Sequence, residues 1–312
     1  MWDEFPRPNP EGIMTQTLPV APWRLFTVEV RAVRRLSPSF VRVTFTGPDL
    51  DRFADNGYDQ RVKLAFPLPG EQGAGLPEGP DWYARWRALP ECQRSPIRTY
   101  TVRAARPELS EVDVDLVLHG DGGPATRWAR RVQPGDRIAI VGPDAGYDGE
   151  HGGVEFRPPA AAKLLLAGDE TAVPAICAIL ERLPATARGQ VLLEVPEADD
   201  VQSVVAPPGV AVRWLARGGG AHGARLVPAV STAAAELMSG PSFGVPLAEA
   251  NLDAELLWEV PTSVLPVPLY AWLAGEAGVI RTLRRHLVTE RGLDRRAVAF
   301  MGYWRHGRPD PA

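Results

Sequence analysis

The chain is 312 residues long and 45% hydrophobic, with a formal net charge of −4 and a pI near 5.8. That length is enough for two domains with their own cores, and the lack of a basic excess argues against nucleic-acid or anionic-membrane partners. The two cysteines, Cys92 and Cys177, form no C-x-x-C pair, which disfavours iron–sulfur, zinc-finger and disulfide-framework readings and fits a reducing cytoplasm.

Residues 1–22 are proline-rich and are expected to be disordered or loosely docked; they lack the basic and apolar regions of a secretion signal, and no segment has the apolar length of a membrane span. A soluble cytoplasmic protein without membrane insertion is the expectation. From Leu25 to Val33 and from Val41 to Thr46 apolar and polar residues alternate as in antiparallel strands, and Gln60 to Phe66 reads as a third strand stopped by Pro67. Residues 68–96, rich in Gly, Pro and Trp, form a long excursion of the kind that is functional or disordered.

The run Ile97-Arg98-Thr99-Tyr100-Thr101-Val102-Arg103 carries the most chemistry. An arginine fork suits pyrophosphate oxygens, a tyrosine ring covers a flat isoalloxazine or its ribityl tail, and a threonine hydroxyl reaches the flavin's polar edge. An ordinary solvated sheet edge has the same composition. Val112 to Leu118 then alternates as a strand into His119-Gly120-Asp121-Gly122-Gly123-Pro124-Ala125-Thr126-Arg127-Trp128-Ala129, a glycine turn and helix start that brings backbone N–H groups near an anion, or else a plain strand-to-helix turn. Val132 to Pro143 adds a Pro-Gly-Asp turn and another strand. Short strands with Gly/Pro punctuation up to about residue 148 suggest a small closed barrel.

After a linker at 151–162 the pattern changes to alternating strands and helices. Lys163 to Gly168, the polar turn Asp169-Glu170-Thr171 and the amphipathic stretch through Leu183 make one β-α unit of a parallel sheet, whose carboxyl ends bind nucleotides. The turn lacks a G-x-G-x-x-G fingerprint, and its two carboxylates are expected to repel a phosphate. Gln190 to Pro196, Val210 to Leu215 and Tyr270 to Gly275 read as further strands. A helix follows Glu276 with Val279, Ile280, Leu283 and Leu287 on one face and Gly292 at its end, and Val298 to Arg305 is the last strand. Arg213, Arg217 and Arg225 lie near the Gly218 to Gly220 turn, as a 2′-phosphate site favouring NADPH or as a solvated face.

Four ordered elements together resemble the siderophore-interacting protein family of flavin-dependent ferric-siderophore reductases: Arg-x-Tyr-Thr-x-Arg at Arg98 to Arg103, the His119 to Ala129 element, Gly-Asp-Glu-Thr-Ala-x-Pro-Ala-Ile at Gly168 to Ile176, and Gly-Tyr-Trp-Arg-x-Gly at Gly302 to Gly307. The resemblance covers nearly the whole chain after about Pro22. It implies a two-domain, ferredoxin-reductase-like fold: an antiparallel FAD-binding β-barrel at 23–150, the linker at 151–162, and a parallel-sheet α/β domain at 163–312 for NAD(P)H.

Carried over by residue, the resemblance implies a flavin clamp of Arg98, Thr99, Tyr100, Thr101 and Arg103. It places His119, Gly122, Gly123, Pro124, Ala125 and Thr126 toward the pyrophosphate, and Gly168, Asp169, Glu170, Thr171 and Ala172 near the flavin and the nicotinamide entry. In a regular strand Arg98 and Tyr100 point opposite to Thr101 and Arg103, so the flavin must wrap an edge or the strand must bend. Lys63 and Arg305 would attract an anionic ferric siderophore, with a solvated surface charge as the alternative for each. No side chain is assigned a catalytic role of its own and no protein metal site is expected, because His119, His151, His222, His286 and His306 lack ligand spacing. The implied reaction passes electrons from NADPH or NADH, or from ferredoxin, through FAD to chelated Fe(III). A non-catalytic ferric-siderophore carrier and a general flavin reductase or electron-transfer protein are the competing readings.

Overall fold

A computed structural model describes residues 20–79, 81–118, 123–238, 257–261 and 266–307. The expected disorder of 1–22 falls almost wholly outside them, as do the site candidates His119 and Gly122. The first half contains β1 (Trp23–Ser37), β2 (Phe40–Thr46), β3 (Arg61–Ala65), α1 (Trp82–Ala88), β4 (Ile97–Thr101), β5 (Ala104–Arg106), β6 (Glu111–Val117), α2 (Pro124–Ala129) and β7 (Arg137–Pro143). All ladders are antiparallel, in the order β4-β3-β7-β1-β2-β6-β5. The two ends of that order, β4 and β5, are halves of one bent strand, so the sheet closes into a barrel. Val102 and Arg103 make the bend; the Val102 N–H bonds to Gln60 O on one side and the Arg103 N–H to Asp113 O on the other, both at 2.8 Å.

Alternation explains the barrel core. Phe26, Val28 and Val30 of β1, Val62 and Leu64 of β3 and Val112, Val114 and Leu116 of β6 all point inward and are buried. The outward residues of β6, Glu111, Asp113 and Asp115, are buried as well. They are tolerated because arginines cover them: Arg106 bonds Asp113 at 2.8 and 2.9 Å, Arg42 bonds Asp115 at 2.6 and 2.8 Å, and Arg31 pairs with Glu111. The 68–96 excursion proves to be a cover rather than a loose loop. Trp86 of α1 is buried over Ala65, Ile97 and Ala139 and donates its indole N–H to Ser95 O.

The second half contains β8 (Lys163–Gly168), α3 (Val173–Arg182), β9 (Arg188–Val195), β10 (Gly209–Ala216), α4 (Leu226–Leu237), β11 (Trp258–Glu259), β12 (Leu269–Glu276), α5 (Ala277–Arg284) and β13 (Val298–Trp304). Its order is β10-β9-β8-β12-β13-β11. Five strands are parallel, but β11 pairs antiparallel with β13, so the expected parallel sheet is a mixed one. The order reverses between β8 and β12, which makes their carboxyl ends the switch point where ligands bind in such sheets. Gly168 and Gly275 sit there because nothing larger fits: a Cβ on Gly168 would lie 2.6 Å from Ala274 O, and one on Gly275 2.6 Å from the Asp169 carboxylate.

The two sheets share buried surface. Phe40 and Val117 of the barrel pack in the same core as α3 and the parallel strands. The segment read as a linker is pinned from both sides: Asp59 accepts from the Glu155 and Phe156 N–H groups and, at 3.0 Å, from the Trp272 indole of β12. Burial pushes the Asp59 carboxyl up, and those donors pull it back.

Candidate functional site

The bent strand of the barrel is the first half of the site. Tyr100 lies opposite Val62 and Arg98 opposite Leu64, so both leave β4 on the core side, with Tyr100 packed at the edge of the barrel core. Thr99 is exposed and lies opposite Lys63, and Thr101 is buried opposite Arg61; opposed residues share a face, so these four point outward. β4 ends the ladder order and the chain bends at Val102 and Arg103, so of the two expected geometries the bent strand is present. Arg103 goes elsewhere. Its guanidinium forms a bidentate pair with Glu181 of α3 and lies 3.8 Å from Asp115, tying the barrel to the second half of the chain.

Gly123 and Pro124 are half-buried at the start of α2, while Ala125 and Thr126 are buried. Among the described residues, the atom nearest to a Cβ on Gly123 would be the Thr126 hydroxyl at 3.9 Å, so none of them crowds a ligand approaching the Gly123 backbone.

β3, the ladder partner of β4, contacts the mixed sheet through β11 and β13. Outward from β3, the Arg61 guanidinium lies 4.4 Å from the Trp258 ring of β11, which in turn stacks on Tyr303 of β13 at 6.1 Å. This bridge brings the strand of Lys63 and the strand end of Arg305 to the same interdomain face. The Tyr303 hydroxyl is buried there without a hydrogen-bond partner among the described residues, and burial raises its pKa well above the ordinary tyrosine value.

At the switch point Gly168, Asp169, Glu170 and Ala172 are buried, and of the five candidates in the turn Thr171 alone is partly exposed. The two carboxylates do not point at an incoming phosphate as expected; both turn into the protein. Asp169 accepts from the Thr171 N–H (2.9 Å) and hydroxyl (2.5 Å), the Glu276 N–H (2.7 Å) and the Trp304 indole (2.9 Å), joining the ends of β8, β12 and β13. Burial, and then the neighbouring Glu170 charge, push Asp169 up to about 7 against those four bonds. Glu170 is closed on Arg217 in two bonds of 2.6 and 2.7 Å. Arg217 is therefore committed, whereas Arg213 and Arg225 are exposed.

Glu194 and Glu276 escape a reading of single motifs. Each is the last or next-to-last residue of a parallel strand, as Asp169 follows another, and this recurrence of an acidic strand end is the signal that would have found them. Glu194 accepts from the N–H groups of Gly223, Arg225 and Leu226; Glu276 accepts from those of Gly278 and Val279 and, on its other oxygen, from His306. His222 stands 4.0 Å from Glu170 with its ring edge on Trp304. Among the described residues no group of three or more His, Cys, Asp or Glu is placed to hold a metal ion, and no helix is long and apolar enough to cross a membrane.

Comparison with known proteins agrees with both halves. Residues 29–147 match the family model described as a siderophore-interacting FAD-binding domain, and residues 161–307 match that of siderophore-interacting proteins. Ferric vibriobactin reductase ViuB of Vibrio cholerae is 30% identical over 282 residues, 89% of this chain and 88% of that protein. The NADPH-dependent ferric-chelate reductase of Escherichia coli is 29% identical over 294 residues, 90% and 93% of the two chains. The crystal structure of a siderophore utilization protein from T. fusca superposes with a TM-score of 0.71 at 31% identity, covering 93% of this chain and 96% of that one. A ferredoxin reductase in carbazole 1,9a-dioxygenase, at 15% identity and a TM-score of 0.59 over 92% of this chain and 71% of that one, shares the fold.

Proposed function

The chain belongs to the siderophore-interacting protein family, and from that premise we propose that it is an FAD-dependent reductase of ferric siderophores, with NADH or NADPH as electron donor. The observation that carries this reading is the bent end strand of the barrel, which carries Arg98, Thr99 and Tyr100 on the neighbour of the Lys63 strand, itself in contact with the mixed sheet through Arg61 and Trp258. FAD, when bound, links a two-electron hydride donor to a metal that accepts one electron at a time. Everything else is arrangement. Arg98 binds pyrophosphate oxygens, the Tyr100 ring covers the flat cofactor, and Thr99 and Thr101 offer hydroxyls to its polar edge. Gly123 to Thr126 form the second wall of that cradle. Arg103 acts from behind, holding the bend through Asp115 and Glu181.

Thr171, partly exposed in a turn otherwise buried, lies at the nicotinamide entry, and Lys63 and Arg305 draw an anionic ferric chelate to the interdomain face. Iron enters as substrate inside its own oxygen ligands; reduction to the less charged Fe(II) weakens that hard-ligand grip and releases the metal. The domain boundaries that go with this reading are 23–150 and 163–312, joined through 151–162. Cys92 and Cys177 as free thiols fit a reducing cytoplasm as the place of reaction, and reduced ferredoxin is the alternative donor.

The test is the visible spectrum of the purified protein under anaerobic conditions. The reading expects flavin bands that bleach with NADH or NADPH, and trapped Fe(II) when a ferric siderophore follows. A colourless protein that still binds the chelate would make it a carrier, and a flavin whose turnover ignores ferric chelates would make it a general flavin reductase.

A further inference from the structure

In a doubly wound sheet, the N–H groups of the helix starts above the switch point receive the phosphates of a dinucleotide, and an arginine beyond a neighbouring strand recognises a 2′-phosphate. This chain fills both places from within. Glu194 takes the amides at the start of α4 at 2.7, 2.9 and 3.0 Å, Glu276 takes those at the start of α5 at 2.6 and 2.9 Å, and Asp169 takes those of Thr171 and Glu276. The cation that follows β10 directly is Arg217. Its side chain is 9% exposed, with two bonds to Glu170 and with Glu194 at 3.9 Å. Glu170 itself is 1% exposed, so a phosphate that drew Arg217 away would leave a buried carboxylate without its counter-charge. His222, 4.0 Å from Glu170, is held below the ordinary histidine value by burial and then by Arg217, and supplies no second positive charge near neutral pH.

We infer that Glu170 sets donor specificity: by closing on Arg217 it removes the cation that would read a 2′-phosphate, so the site accepts the phosphorylated and unphosphorylated nicotinamide donors alike. The inference rests on a pyridine nucleotide being the donor. The test is calorimetric titration of the full FAD-loaded chain with 5′-AMP and with 2′,5′-ADP, which differ by the 2′-phosphate alone. For the wild type the two Kd values are expected within about threefold of each other. Glu170→Gln is expected to tighten 2′,5′-ADP by about tenfold and leave 5′-AMP unchanged, and adding Arg217→Gln to that variant should abolish the gain.

A wild type that prefers 2′,5′-ADP tenfold or so, with the preference lost in Arg217→Gln or in Arg225→Gln, overturns the inference while leaving the donor reading intact. A folded Glu170→Gln with an unchanged ratio overturns it equally. Should Glu170→Gln not fold, the wild-type and Arg217→Gln ratios decide. Binding of neither nucleotide by a chain that retains FAD would instead overturn the donor reading, and this inference with it.

Discussion

Arg98, Thr99 and Tyr100 keep part of their side chains open to solvent on the bent strand of the barrel, whereas Asp169, Glu170, Glu194 and Glu276 at the carboxyl edge of the mixed sheet are all buried. Both edges are rich in polar groups. At the first, Thr99 faces outward while Arg98 and Tyr100 leave β4 on the core side, only half-buried; at the second, the groups are bound to one another and to the backbone. On the proposed reading, a ligand gripped by the first edge meets side chains that are partly open to solvent. A ligand at the second must compete with bonds already made, which suits a donor that binds, reacts and leaves. On the proposed reading, the difference separates a resident cofactor from a passing one.

The largest effect is expected at the barrel edge. Replacing both Arg98 and Tyr100 by Ala should raise the Kd for FAD by about 100-fold, or about 3 kcal/mol, measured by flavin fluorescence titration. Unchanged flavin affinity would mean that this strand is not the grip.

The second test lies at the opposite edge. The Asp169 carboxyl, raised to about 7 in the folded protein, has an ordinary value near 4 when unfolded, so between those limits the native state binds the extra proton and stability falls as pH rises. Asp169→Asn lacks that titration, so denaturant unfolding should move in its favour relative to wild type by about 2 kcal/mol between pH 5 and 7.5. A difference that stays flat, or moves the other way, would mean that the four donated bonds outweigh burial.

A smaller change tests the face between the two edges. Lys63→Gln with Arg305→Gln should raise the KM for an anionic ferric siderophore about tenfold and reduce its salt dependence, with FAD content unchanged. An unaltered KM would return both residues to the solvated surface. The smallest effect belongs to Glu181→Gln. Glu181 is two-fifths exposed, so losing its pair with Arg103 should cost about 1 kcal/mol or less of stability and leave FAD affinity as it was. A loss of flavin in that variant would shift Arg103 from holding the bend to holding the cofactor.

The alternation of apolar residues locates the strands of both halves, because burial on one face repeats every second residue in β1 and β2 and continuously in β8 and β12. Elements without such a pattern escape it. The short β5 and β11 are defined by their partners, α1 hides in a Gly/Pro-rich stretch, and the alanine-rich α4 shows little amphipathic contrast. At the site, the residue types of the Arg98 to Arg103 run are legible but their directions are not, since the bend at Val102 depends on hydrogen bonds to Gln60 and Asp113. The inward turn of Asp169 and Glu170 was illegible for the same reason. Their partners, Trp304 and Arg217, lie 135 and 47 residues away, and only the closed sheet brings them together.

The measurement that bears most directly on the central claim is an anaerobic single-turnover experiment on the FAD-loaded protein, mixed first with one equivalent of NADH or NADPH and then with excess ferric siderophore beside an Fe(II) trap. The account predicts that the flavin band bleaches, then returns as about two Fe(II) are trapped per nucleotide oxidised. Fe(II) that appears while the flavin stays oxidised, or a reduced flavin that ferric siderophore fails to reoxidise, would contradict it.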